Sequence, residues 1–320
     1  MIGLRRCLVE AAFRLVPTRP LVLQQQTLAH RLYSSSTSDG TTSTSTPAKK
    51  KKKNKNMSIS QVPISVIGVM SDHYIPPKLT SVSITRWPRV LLNRFLLFGF
   101  NTYNILKFKR EINKPLQFND WKDQAIETYV RTNKVFAQAC NNFTTSPSST
   151  IYKFITSKLD QSCGKHLNEV LTNRAVTFRQ QPNIELSWDL VSIDKNPKVS
   201  VFTTIPDEDG IGVYVQFVMN LKTTQKLTIS DKRDSGKIIQ QTETKVNDYL
   251  VYTMNPWDGR ILLVGKLFES DAYRGLKSEL DVFDTKTMGD FLNEAADIYR
   301  EDPRLFTRSV EGSDKNVNKD

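Results

Sequence analysis

The chain has 320 residues, 38% of them hydrophobic and 24% charged, which is enough apolar material for one good core or two small ones. Its three cysteines, Cys7, Cys140 and Cys163, are too few and too widely spaced for a disulfide framework or a metal site, and they fit a reducing compartment. The net charge of +12 is unevenly spread.

Residues 1–33 hold five Arg against one Glu, and residues 34–56 hold six Lys against one Asp. Residues 57–115 hold eight basic and two acidic side chains, whereas residues 116–320 hold 26 basic and 29 acidic. A basic arm on a near-neutral body points to a polyanionic partner, RNA or anionic lipid. A targeting signal with a solvated linker accounts for the first two blocks but not for the third.

The first element is an amphipathic leader over residues 1–33. Leu4, Leu8, Ala11, Ala12 and Leu15 recur at helical spacing opposite the arginines, so the segment reads as a mitochondrial presequence. In "RLYSSS", Arg31 precedes a Tyr33–Ser34 junction that suits matrix processing. Residues 34–60 form a Ser/Thr/Lys linker, too polar over most of its length to offset the entropy of ordering, and expected to be disordered.

Residues 61–117 form a basic apolar segment. Within "TRWPRVLLNRFLLFGFNTYNILKFKR", Arg86, Arg89, Arg94, Lys107, Lys109 and Arg110 alternate with aromatic and aliphatic side chains, and no acid occurs between Asp72 and Glu111. Asn93, Arg94, Asn101 and Asn104 interrupt it, whereas a membrane span needs about 20 mostly apolar residues. Three readings fit. The segment lies in the headgroup region of an anionic membrane, it grips RNA phosphates and bases, or it is a core helix with its arginines outward.

Residues 118–270 carry the main domain. Asn119 or Asp120 is expected to cap a helix to about Asn141, with Trp121, Ala125, Tyr129, Phe136 and Cys140 as its apolar stripe. A second helix is expected from Ser149 to Arg174, with Gly164 as its weak point. The period then changes. Ile184–Leu190 and Val199–Ile205 alternate as two strands. Residues 211–230 alternate as one long strand whose flat length, roughly 60 Å at about 3.3 Å per residue, requires a bend near Thr223 and Thr224. "DKRDSG" and "NPWDG" are hairpin turns, with strands over 246–254 and 260–268. The expected fold is α+β, with two N-terminal helices packed on a strongly curved antiparallel sheet, a cone. In residues 271–320, Thr287 and Asp290 form a capping box that opens a last helix to Tyr299, followed by a polar tail.

Catalytic signatures are missing. His30, His73 and His166 stand apart from any ligand or triad partner, "DGIG" lacks the third Gly of a dinucleotide loop, and "GRILLVGKL" has the wrong spacing for a P-loop. Asp189 and Tyr214 are the two candidates for the acid/base pair that cone-shaped enzymes use, and alternation turns both away from the apolar strand faces. No enzyme activity and no cofactor are expected.

"VQFVMNLKTTQKLTISDKRDSGKI" followed by "VNDYLVYTMNPWDGRILLVGKL" resembles the import-motor-tether-like domain family of mitochondria. A short basic arm, in place of a long coiled coil, and "SVSITRWPRVLL" are similar to the fungal inner-membrane ribosome receptors of the Mba type within it. The resemblance implies a cone-shaped, NTF-like domain that is peripheral on the matrix face of the inner membrane. It implies three partners: the mitochondrial large ribosomal subunit, through its rRNA and exit-site proteins, the Oxa-type insertase, and anionic inner-membrane lipid. It implies a role in co-translational insertion and no catalytic residue. A stoichiometric large-subunit ribosomal protein of the same fold is the first alternative, and an import-motor tether or a cone-fold enzyme is a distant one.

Overall fold

Long alternating runs rich in Val, Ile, Thr and Tyr follow helical stripes in this chain, and the computed structural model turns them into four strands and five α-helices among the described residues. Those residues are 59–304, apart from 144–145, 179–182, 208–211, 234–236, 279 and 281–283. The presequence, nearly all of the linker, and the cleavage region at Arg31, Tyr33 and Ser34 lie outside them. In chain order come α1 (Trp87–Ile112), α2 (Phe118–Asn142), α3 (Ser148–Leu159), α4 (Lys165–Phe178), β1 (Ile184–Pro206), β2 (Gly212–Asp231), β3 (Lys237–Met254), β4 (Ile261–Leu267) and α5 (Thr285–Ala296). The fold is α+β. Its sheet is antiparallel, in the order β1-β2-β3-β4, and it does not close.

The apolar stripes behave as helical spacing predicts. Trp121, Ala125, Tyr129, Phe136 and Cys140 of α2 are buried, as are Ile151, Ile155, Leu159, Leu167 and Leu171 of α3 and α4. They pack with Phe108 and Ile112 of α1 against Val215, Phe217, Met219 and Leu221 on one face of the sheet. Trp121 stacks on Phe202 and Phe217 at its centre.

The expected second helix is two helices. The chain turns at Ser162–Gly164, where Leu263 N–H donates to the Ser162 carbonyl (2.8 Å) and Gly164 N–H donates to the Leu263 carbonyl (2.9 Å). A Cβ on Gly164 would sit 3.1 Å from Val264, so the glycine lets β4 approach. Three helices, α2, α3 and α4, rather than two therefore lie on this side of the sheet, beside the Phe108 end of α1. α2 starts at Phe118 without a side-chain cap, so neither Asn119 nor Asp120 serves as one.

The two short strands expected before residue 206 are one strand. β1 runs unbroken through Ile184–Pro206, but its pairing with β2 shifts repeatedly between Leu190 and Val201. Such bulges bend a strand and raise its twist. Ser192 and Ile193 face Thr224 and Thr223, so the irregular stretch lies opposite the bend expected in β2. β3 starts at Lys237, nine residues before the expected 246, because its polar first half still pairs with β2.

The opposite sheet face is covered along only part of its length. Residues 62–75 run as a strap across it, burying Ile64, Ile67, Val69 and Ile75 against Val201, Val218, Val251 and Leu262. The buried Gln216 pins the strap. Its amide donates to the Gly68 carbonyl (3.0 Å) and to Thr253, and its oxygen accepts from Met70 N–H (3.1 Å). Tyr214 donates to the Val62 carbonyl (2.9 Å). α5 closes the same layer through Ala295. Its cap is Asp284, which accepts from Lys286 N–H at 3.1 Å. Thr287 donates to the same carboxylate, so the expected Thr287–Asp290 box is not the cap.

Candidate interaction surface

α1 is built inside out. Pro88 lies in its first turn, Asn113 ends it in the left-handed region (φ 52°), and Lys109 and Arg110 lie in its last turn, where cations suit the helix dipole. The side turned to the protein is rich in amides. Asn101 satisfies the free edge of β1 twice, donating to the Ser200 carbonyl (2.9 Å) and accepting from Phe202 N–H (3.0 Å). Asn93 donates to the Arg274 carbonyl (3.1 Å), Glu111 accepts from Gly212 N–H (2.9 Å), and Asn104 is buried. Val90, Leu97, Phe108 and Ile112 complete this inner face.

The outer side is apolar. Phe95 is 72% exposed, Phe98 69% and Tyr103 65%, and Leu91, Leu92, Leu96, Phe100 and Leu106 are exposed with them. Ile84 and Trp87 extend this surface at the start of the helix. The Trp87 indole donates to the carbonyls of Leu79 and Val82, both at 3.2 Å. Beyond the other end, Lys114 donates to the Pro256 and Trp257 carbonyls (2.7 and 2.8 Å), which fixes the NPWDG turn with Trp257 exposed. Soluble monomers rarely expose so continuous an apolar patch, and such patches mark protein or membrane contacts. The core-helix reading with arginines outward describes Val90, Leu97, Phe108 and Ile112 and the exposed Arg89 and Arg110, but hydrogen bonding to β1 also draws the amides inward and leaves much of the hydrocarbon outside.

The six basic residues singled out from the sequence do not act as one block. The Arg86 guanidinium lies 3.7 Å over the Tyr273 ring, Arg94 donates to the Pro77 carbonyl (2.7 Å), and Lys107 pairs with Glu111 at 3.6 Å. Arg89, Lys109 and Arg110 are exposed, with none of the described hydrogen bonds or ion pairs on their side chains, and they bracket the apolar strip at its two ends. The apolar side chains of this face are not among the residues the sequence singles out for the contact, although they have a signal: Asn93, Asn101 and Asn104 recur on one side of the helix, opposite Phe95, Tyr103 and Leu106. Among the described residues no helix is long and apolar enough to cross a membrane.

The titratable groups elsewhere hold structure. Asp189 is exposed on β1, and Tyr214 is buried beneath Val62. Asp189 pairs in register with Lys226 and Tyr214 with Ile205, so the two candidates stand far apart along the sheet. Tyr129 donates to Asp248 (3.0 Å), which also holds Lys266 at 2.8 Å. Burial, followed by the Asp248 charge, pushes the Tyr129 phenol well above its ordinary value. Burial likewise pushes the thiols of Cys140 and Cys163 up to about 12, so neither is a ready nucleophile.

A sequence profile of the MBA1-like proteins matches residues 52–304, which include α1, the whole sheet and α5. The chain belongs to the MBA1-like protein family. The inner membrane mitoribosome receptor MBA1 of Saccharomyces cerevisiae is similar to it, with 25% identity over 243 residues, 74% of this chain and 80% of the yeast protein. This MBA1-like chain thus shares with the yeast receptor a stretch long enough to hold most of the described fold.

Proposed function

We propose that this protein is a mitochondrial ribosome receptor on the matrix face of the inner membrane. It holds the exit side of the large subunit beside the Oxa-type insertase, so that mitochondrially encoded chains insert as they are made. The observation that carries the membrane half is the outward apolar face of α1, bracketed by Arg89 at one end and Lys109 and Arg110 at the other. A helix with Leu and Phe on one face and cations at its ends suits the boundary between headgroups and acyl chains, lying in the membrane plane. Its exposed strip is flanked by Trp87 and Trp257, the side-chain type favoured at that boundary. Anionic lipid adds about 1 kcal/mol for each nearby cation. The ribosome half rests on family membership and on the yeast relative. This role calls for no catalytic residue and no cofactor.

Fractionation of mitochondria that carry a tagged chain tests the proposal. The protein should sediment with membranes, leave them in alkaline carbonate, accompany large subunits at low salt and leave them at high salt. Retention on subunits through a high-salt wash would instead make it a stoichiometric ribosomal protein. Recovery in the soluble matrix, free of both membranes and ribosomes, would overturn the receptor reading.

A further inference from the structure

The strap and α5 cover one end of the second sheet face, and the other end is open. We propose that this open half is a contact for the phosphate backbone of ribosomal RNA, with Lys195, Lys198 and Lys222 as its cations. The proposal deepens the receptor reading and rests on it for the class of partner.

Register places the three lysines together. Lys195 is the cross-strand partner of Lys222, and Lys198 is the partner of Asn220, one row along the same face. Asn247 and Tyr249 of β3 complete these rows, and Asn220 donates to Asn247 at 3.1 Å between them. Lys195 and Lys198 are exposed and Lys222 is half-buried, and none has a carboxylate of the described residues within ion-pair distance. Like charges directly opposite across an antiparallel pair destabilise a sheet. Here the bulged stretch of β1 brings Lys195 opposite Lys222 all the same, and a polyanion laid between them relieves the repulsion.

Three acids of this face, Asp194, Asp189 and Glu243, lie one or more rows further along it. Asp194 accepts from Thr224 (2.8 Å) and Ser192 (3.0 Å), and these hydroxyls, with Lys245 adding to them, hold its carboxyl below its usual value. Asp189 and Glu243 are the cross-strand partners of Lys226 on its two sides, so Lys226 is locally offset and is not counted here. The rows of Asn220 and Lys222 hold the three lysines, two amides and the Tyr249 phenol, whose hydroxyl donates to Glu269 (3.1 Å), a carboxylate already matched by Lys78 at 3.8 Å. Successive rows on one face are about 7 Å apart, comparable with the step between phosphates of an extended strand. Lysine and asparagine are among the side chains that contact phosphate and sugar without reading bases.

The rows built on Thr224, Lys226 and Thr228 are polar on all three strands, whereas the hydrocarbon for acyl chains is on α1. RNA therefore fits this face better than lipid, and the two polyanions take separate elements.

The test is a K195Q/K198Q/K222Q variant of the full chain, with circular dichroism as the folding control. Binding to salt-washed mitochondrial large subunits is measured from 50 to 200 mM salt. Three lost phosphate contacts reduce the log–log slope by about 2 to 3, so the advantage of the original chain over the variant should shrink by about 20- to 40-fold across that range. Binding to protein-free large-subunit rRNA should weaken in parallel, and the corresponding triple Arg variant should keep both affinities. Flotation on phosphatidylglycerol-containing vesicles should not change.

An unchanged slope in the folded Gln variant overturns the proposal. So does a loss on subunits without a loss on naked rRNA, which would indicate an acidic protein partner, and so does a loss of flotation alone, which would indicate lipid. If the unaltered chain fails to bind subunits, the receptor reading falls, and the naked-rRNA arm still decides the lysine contact.

Discussion

Replacing Phe95 and Phe98 by Ser removes the two most exposed aromatic rings of α1, which are 72% and 69% accessible. Transferring a Phe side chain fully out of water contributes about 1.5–3 kcal/mol. With roughly seven-tenths of each ring available to the membrane, the pair contributes about 2–4 kcal/mol to docking. At about 1.4 kcal/mol per tenfold, the double variant should bind vesicles about 30-fold to several hundred-fold more weakly. The lower end applies if the rings stop among the headgroups. Fold stability should change little, because exposed substitutions usually stay within about 0.5 kcal/mol. By contrast, Leu97→Ala on the inner face should cost about 2–5 kcal/mol of stability. Flotation with phosphatidylcholine–phosphatidylglycerol vesicles and urea unfolding measure the two quantities. If the double variant floats like the original chain, or unfolds with a loss of more than about 2 kcal/mol, the outer face of α1 is not a membrane face.

Four further outcomes follow from the packing and the charges. Gly265→Ala should destabilise by about 1–3 kcal/mol or more, read by thermal unfolding, because its Cβ would lie 2.3 Å from the Ala295 carbonyl and 2.8 Å from Val69. Asp248→Ala should cost about 3–5 kcal/mol in urea unfolding, since it strands the Lys266 ammonium and leaves the buried Tyr129 hydroxyl without its acceptor. Burial holds His73 and His166 below 6.5, so the unfolded chain takes up protons first; stability should be flat above pH 6.5 and fall as the pH drops below it, checked by unfolding at pH 7.5 and 5.5. Sequencing of the mitochondrial protein should find a mature N-terminus at or near Ser34, and an intact Met1 would refute the presequence reading.

The parts of this fold that periodicity can specify were legible in the sequence. Trp121, Tyr129 and Phe136 declare the buried face of α2, and Val215, Phe217 and Met219 declare the helix-packed face of β2. Local pattern did not reveal tertiary contacts. Gly164 reads as a weak point in a helix, and only β4 arriving at Ser162 and Gly164 makes it a break. Asp284 and Thr287 both suit an N-cap, and the carboxylate that collects Lys286 N–H and the Thr287 hydroxyl takes the place. The strap of residues 62–75 has no period to announce it. It is held by Gln216 and Tyr214, polar positions that alternation alone would assign to solvent.

α1 shows why a surface is harder to read than a core. Hydrophobic spacing specifies which side of a helix is apolar, and in a soluble domain that side turns inward because burial dominates. In α1 the inward side is instead chosen by hydrogen bonds that the sheet would otherwise lack. β1 is an edge strand, and its Ser200 carbonyl and Phe202 N–H need partners where they are half-buried. Asn101 supplies both. Turning the helix about its axis to bury Phe95 and Phe98 would strip those partners away, at about 1–3 kcal/mol for each buried group left unmade. It would also take Asn93 from the Arg274 carbonyl and bring Arg110 towards the core. The apolar face is left outside, and in the membrane contact proposed above a bilayer flanked by anionic headgroups would accommodate both the rings and the cations at the ends of the strip. Under the two proposals made above, the same logic separates the partners on one scaffold: hydrocarbon on the helix that seals one edge of the sheet, and lysines without an ion pair among the described residues on the half of the sheet that the strap leaves open.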